Sequence, residues 1–156
     1  MLDQRTLPET TTDWDREVAV PNPAYREAAY ALLRLTLGIV FLFSGLGKFL
    51  AGLGNLAGGQ AQQFAGKLPG PLVTTFFYVL PFVEVALGAL LVLGLFNGLA
   101  LILSGLLLAA LTFGTVMKED FSTTAHNVSY ALVNSALLWL AHYNGYSLDR
   151  LLRRGR

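Results

Sequence analysis

The chain has 156 residues, enough for one domain, and its 54% hydrophobic content against 13% charged residues is typical of a protein whose solvent is lipid. A formal net charge of +1 excludes the large basic surface that neutralises nucleic-acid phosphates, so we expect no nucleic-acid partner. The absence of cysteine excludes disulfides, thiol catalysis, iron–sulfur clusters and thiolate zinc sites within the chain.

Both ends of the sequence are polar. Residues 1–27 contain three prolines and lack the basic-then-apolar order of a cleaved signal peptide. We interpret them as a cytoplasmic tail, either a mobile terminus or a segment that docks on a neighbour. Residues 153–156 form a short basic tail. The remaining residues, 28–152, are predicted to form one domain.

Four stretches are long and apolar enough to cross roughly 30 Å of hydrocarbon as helices, which takes about 20 residues each. They are residues 28–50, 72–96, 98–117 and 124–143. The Asn97-Gly98 pair predicts a tight turn, so the second and third helices should be antiparallel neighbours. Residues 51–71 are rich in Gly and Gln and are predicted to form a surface loop with room for one interfacial helical turn. The predicted fold class is all-α, an integral-membrane four-helix bundle.

The first span carries cations and small residues on one stripe, because they are spaced by four and three residues in alternation. Arg34, Gly38, Gly45 and Lys48 lie on this stripe. Small residues let helices approach closely in lipid, so Gly38, Gly45 and, in the second span, Gly88 are predicted helix-packing positions. Arg34 and Lys48 lie near opposite ends of the helix, where each can snorkel to a headgroup layer or pair inside the bundle.

Glu84 lies near the middle of the second span, where its carboxyl group reaches neither membrane interface. It must therefore be paired or protonated, and Arg34 and Lys48 are the cations that the neighbouring span offers. Pro81 removes one backbone hydrogen bond three residues earlier, which favours a kink around a polar pocket. Two interpretations stay open for Glu84: a group that locks the bundle, or a group that binds a quinone head or relays protons.

A polar stripe also follows the fourth span. Its members, at spacings of four, three and four, are Thr123, Asn127, Tyr130 and Asn134. These side chains either hold neighbouring helices together or line a pocket for a quinone head, whose carbonyls need hydrogen-bond donors. His126 beside two loop acids is too weak a pattern to predict a metal site. We expect no covalently bound cofactor, and a quinone or lipid as the non-covalent ligand.

Several of these residues resemble the DoxX family of small membrane proteins. The resemblance rests on Arg34 and Gly38, on Gly45-Leu-Gly-Lys48, on Glu84 with Gly88, and on the closing Asn-Gly-Tyr-Ser-Leu-Asp-Arg segment at residues 144–150. It implies a four-helix protein of a bacterial or archaeal cytoplasmic membrane, associated with redox enzymes such as thiosulfate:quinone oxidoreductase. It also implies intramembrane roles for Lys48 and Glu84.

Together these features favour a small membrane subunit of a quinone-linked electron-transfer complex, without a redox centre of its own and at most part of an oxidoreductase. Membrane lipids and other membrane subunits are its expected partners. The alternatives are a purely structural or assembly subunit and a small-solute transporter, which four spans without an inverted repeat disfavour. The candidate quinone or polar-core residues are Arg34, Lys48, Glu84, Asn127, Tyr130 and Asn134.

The distribution of basic residues predicts that both termini are cytoplasmic. Eight arginines lie on the side of the two tails, whereas three lysines lie on the opposite side. A reporter that works only in the cytoplasm should therefore be active when fused after residue 156 and silent when fused after Lys118. Activity after Lys118 would reverse the orientation.

Overall fold

The computed structural model describes residues 22–150, so most of the predicted N-terminal tail and the tail at residues 153–156 lie outside the described residues. The described part consists of five α-helices and one short 3-10 turn. The helices are α1 Pro23–Leu50, α2 Leu53–Gln63, α3 Gly70–Leu93, α4 Asn97–Met117 and α5 Phe121–Trp139, and the turn is Ala141–Tyr143. The predicted all-α membrane bundle is confirmed.

Three of the helices, α1, α3 and α4, are long and apolar enough to cross a membrane. Helix α5 has 19 residues, but its Ser, Thr, Asn and His side chains lower its hydropathy, and it does not belong to that set. It completes the bundle by packing along α4 and against α1. The outer surface is apolar, with Phe43 65%, Leu106 64% and Leu132 68% exposed. Such a surface suits lipid rather than water, as expected of a multi-pass membrane protein.

Helix α1 begins at Pro23, inside the segment that was predicted to be a tail. The side chain of Asn22 accepts a hydrogen bond from the amide of Ala24, and the fixed φ of Pro23 suits the first helical position. The helix therefore extends beyond its apolar run because its cap, and not its hydropathy, sets the start.

The turn between α3 and α4 lies earlier than predicted. Helix α3 ends at Leu93 and is capped by Gly94, which has a left-handed backbone with φ of 66°. The amide of Leu95 donates to the carbonyl of Leu90. This bonding pattern closes a helix at a glycine. Asn97 is the first residue of α4, so the prediction of a turn at Asn97-Gly98 was wrong.

The segment at residues 51–71 contains a helix of 11 residues, α2, where a surface loop with room for one helical turn was predicted. Gly52, with φ of 86°, separates α2 from α1. Ala57 and Phe64 are buried, and α2 packs against α3. The helix forms because it has an apolar contact surface within the fold, a property that the glycine- and glutamine-rich composition did not show.

The closest helix contact joins α1 to α3 at glycines. A Cβ atom added to Gly88 would lie 2.5 Å from the backbone nitrogen of Leu42, and one added to Gly45 would lie 2.8 Å from the carbonyl oxygen of Pro81. Gly38 faces Gly88 and Val92 across the same contact. The two backbones therefore approach to a distance that leaves no room for side chains.

A core of fully buried apolar side chains lies toward the end of the bundle that holds the α3–α4 turn. Its members are Tyr30, Leu37, Phe41, Leu91, Ala100, Leu101, Leu108 and Leu137. They come from α1, α3, α4 and α5, so this core joins all four long helices.

Gly88→Ala should destabilise the bundle, because the new methyl group would force α1 and α3 apart. We expect a loss of about 1–3 kcal/mol, typical of an overpacked contact, measured by thermal unfolding in detergent. Gly47→Ala is the matched control, since a Cβ at Gly47 meets nothing within 4 Å. Equal stability of the two variants would contradict the close contact.

Candidate functional site

An ion pair connects α1 and α3 inside the bundle. The ammonium nitrogen of Lys48 donates to both carboxylate oxygens of Glu84, at 2.6 and 2.8 Å. Glu84 is 2% exposed, whereas the side chain of Lys48 is 24% exposed. Of the two cations that the sequence offered to Glu84, Lys48 is the partner.

Ser44 completes this polar group from one turn earlier on α1. Its hydroxyl oxygen accepts from the Lys48 ammonium at 2.7 Å, and its O–H group donates to a carboxylate oxygen of Glu84 at 3.3 Å. The two residues are four apart, so they lie on the same face of the helix. Bonds from Lys48 to Ser44 and to both Glu84 oxygens occupy its three ammonium protons.

A cavity of about 440 Å³ lies beside this ion pair, between α3 and α4. Its walls are mostly aliphatic and aromatic. The polar residues on its lining are Ser44, Lys48, Glu84, Thr115, Lys118, Thr123 and Asn127. Leu72 on α3 and Phe113 on α4 line the cavity and are also 58% and 61% exposed, so it opens sideways between these helices. A mostly apolar cavity with a few polar groups is the usual form of a small-molecule site.

The segment after helix α2 contributes Phe64 and Leu68 to the cavity lining, and α2 itself is attached to the far end of α4. The ammonium of Lys118 donates to Gln60 at 3.1 Å and to Gln63 at 3.3 Å, and it lies 5.6 Å from the centre of the Phe64 ring. Lys67 donates to the carbonyl of Met117. The rim of the cavity therefore carries a cation that neutral amide oxygens hold in place.

The α4–α5 loop forms another part of the rim and is ordered by a helix cap. The hydroxyl and the amide of Thr123 donate to the carboxyl group of Asp120. These hydrogen bonds hold the pKa of Asp120 below its usual value, so the carboxylate remains charged at neutral pH.

Two asparagines of α5 have different environments. Asn134 is buried, accepts from the hydroxyl of Ser104 at 2.7 Å and donates to the carbonyl of Leu101 at 2.9 Å. Asn127 is only 9% exposed and lines the cavity, yet its amide has no hydrogen-bond partner among residues 22–150. Asn134 therefore joins α5 to α4, whereas Asn127 presents a free donor and a free acceptor to the cavity.

The other sequence candidates lie away from this cavity. Tyr130 packs against the apolar core. Arg34 lies at the opposite end of the bundle, where its guanidinium donates to the side chain of Asn144 and, at 2.8 Å, to the carbonyl of Tyr146. Of the six candidate polar residues, Lys48, Glu84 and Asn127 lie together on the lining of this cavity. Helical periodicity places residues on a face but does not decide which end of the bundle they share.

The closing segment fastens the turn between α3 and α4. Asp149 accepts from the backbone amides of Phe96 and Asn97, at 3.0 and 3.1 Å, where α4 begins. Arg150 pairs with Glu27 at 3.1 Å. Among the described residues after the last helix, these contacts give Asp149 and Arg150 a structural role.

The residues of the site that sequence reasoning missed include Ser44, Phe64, Thr115 and Lys118. Ser44 could have been found, because it lies one turn before Lys48 on the polar stripe. Lys118 was counted only as a loop residue, and its place at the cavity depends on the packing of α2. Among residues 22–150, no group of three His, Asp or Glu side chains is arranged to hold a metal ion.

A family model described as methylamine utilisation protein MauE matches residues 26–124, which include most of α1 and all of α2, α3 and α4, together with Lys48 and Glu84. No curated protein and no solved structure matches the chain. The resemblance to DoxX proteins was therefore wrong, since the matching membrane family is a different one. The resemblance rested on small residues and a cation on one helix and on an acid on the next. Tight packing of helices and a buried ion pair require the same kinds of residue. The closing segment at residues 144–150 lies outside the matched range.

Removing one member of the ion pair should cost more stability than removing both. Glu84→Gln or Lys48→Met alone leaves a polar or charged group without its partner in low dielectric, a loss of about 3 kcal/mol or more. The double variant should recover much of that loss, as thermal unfolding in detergent would measure. If Glu84→Gln alone unfolds like the parent protein, Glu84 is protonated and the ion pair does not form.

Proposed function

The chain belongs to the MauE family of membrane proteins, and we propose that it is an accessory subunit that binds a quinone-class molecule in the cavity between α3 and α4. The family description suggests a role in methylamine utilisation, which we place within an electron-transfer assembly. In this proposal the chain supplies the binding site, and partner proteins supply the redox centres.

The observation that carries the proposal is the cavity itself. Its volume of about 440 Å³ lies within the range of small-molecule sites, and its apolar walls suit a ring and an isoprenoid tail. Its sideways opening between Leu72 and Phe113 faces the lipid-exposed surface, where a membrane-soluble molecule would be dissolved. The lining also carries polar groups, so the cavity offers polar contacts to a head group and apolar contacts to a tail.

A second candidate is a purely structural or assembly subunit. The bond between Asn134 and Ser104 and the bonds of Arg34 to residues after α5 favour it, because they hold the bundle together without a ligand. The two candidates differ in whether the cavity must be occupied for the protein to work.

Filling the cavity should remove bound quinone without unfolding the protein. Ala110 and Ala109 are both exposed, but only Ala110 is part of the cavity lining. We expect protein purified in mild detergent to retain quinone that is extractable and quantifiable by chromatography. Ala110→Trp should lose most of it, and Ala109→Trp should retain it.

Both variants add the same indole to neighbouring positions of one helix, so a general effect of tryptophan would affect them equally. Partner proteins that co-purify with the parent and with both variants, without quinone in any sample, would favour the structural subunit.

A further inference from the structure

The side chain of Asn127 has no hydrogen-bond partner among residues 22–150, although the residue is about nine-tenths buried. An amide in such a position has little access to bulk water, and the protein offers it no hydrogen bond. Such groups in folded proteins usually have a ligand or a water to meet. The cavity that Asn127 lines is the place where that partner would be.

Beside the ion pair, the chemistry of the cavity favours an uncharged head group over an acid, whereas the other cation of the lining, Lys118, lies at the rim and donates to two glutamine side chains. The ammonium protons of Lys48 are already taken by Ser44 and Glu84, so this cation has no donor left for a ligand. The carboxylate of Glu84 would repel an anionic head beside it. The free group nearby is the neutral amide of Asn127, which can donate from its nitrogen and accept at its oxygen.

Resting on the proposed function, we propose that Asn127 is the specificity-determining residue of the site, and that it recognises an uncharged lipid with a carbonyl or hydroxyl head. The amide donates to a carbonyl in the oxidised form of such a molecule and accepts from a hydroxyl in its reduced form. One side chain therefore holds both forms of a quinone. No proton or electron is transferred to Asn127.

Binding of two probes with similar chains tests this proposal. The protein in detergent is titrated with decylubiquinone, which is uncharged, and with decanoic acid, which is anionic. We expect the parent protein to bind decylubiquinone and to bind decanoate at least about tenfold more weakly. Asn127→Leu should weaken decylubiquinone binding about fivefold to tenfold, the usual effect of losing a neutral hydrogen bond.

Three control variants separate recognition from folding. Asn127→Gln keeps the amide and should retain binding within about threefold. Ser129→Ala changes an exposed residue of the same helix that bonds only to the backbone of Ala125, and it should have no effect. Without ligand, Asn127→Leu should unfold at or above the parent temperature, whereas Asn134→Leu should unfold at a lower temperature because Ser104 and Leu101 lose their partner.

Each other result overturns a definite part of the proposal. Failure of the parent protein to bind either probe would overturn the proposed function as well. Preferential binding of decanoate, lost in Lys118→Met, would assign the site to an anionic lipid held at the rim. Parent-like binding by Asn127→Leu, or equal losses in the Leu and Gln variants, would show that Asn127 does not recognise the head group. Neither result would contradict the proposal that the cavity binds a quinone.

Discussion

The close approach of α1 to α3 is the constraint on which the rest of the structure depends. Glycines at the contact remove the side chains that would separate the two backbones. At this distance Lys48 reaches Glu84 directly, and the pair forms at 2.6 Å. Direct contact matters because two charges separated in a low-dielectric interior would each keep a desolvation cost that nothing offsets. The ion pair is thus a consequence of the helix packing as well as a support for it.

Helices α3 and α4, in contrast, are packed together at one end and separated by the cavity at the other. The short connection at Gly94 and the fully buried side chains of Leu91 and Leu101 hold these helices together at one end. Toward the other end, the space between them is the cavity, which Phe64 and Lys118 partly cover. A bundle that is packed at one end and open at the other combines stability with a place for a ligand.

The two asparagines of α5 illustrate how similar residues acquire different roles. Asn134 and Asn127 are seven residues apart and point the same way from one helix. Asn134 meets α4 where the bundle is packed and is fully hydrogen-bonded, whereas Asn127 meets the cavity. A polar group that faces a cavity without a partner in the protein is typical of a binding site.

The sequence by itself determined that the chain is an all-α membrane protein, because long apolar runs admit few other structures in lipid. It also determined that Glu84 needs a partner, since a carboxylate near mid-bilayer cannot remain alone. The sequence also predicted the glycine stripe on α1, because helical periodicity places these residues on one face of the helix.

Tertiary structure alone decided which cation meets Glu84, which asparagine is free and where the cavity lies. These outcomes depend on the rotation and axial offset of one helix against another, which arise from many contacts across the bundle. Local chemistry also shifted the start of α1 to Pro23 and the turn to Gly94, since caps rather than hydropathy set helix ends. The wrong family resemblance had the same origin: packing glycines and a buried ion pair are demands of the bilayer that unrelated bundles meet with the same residues.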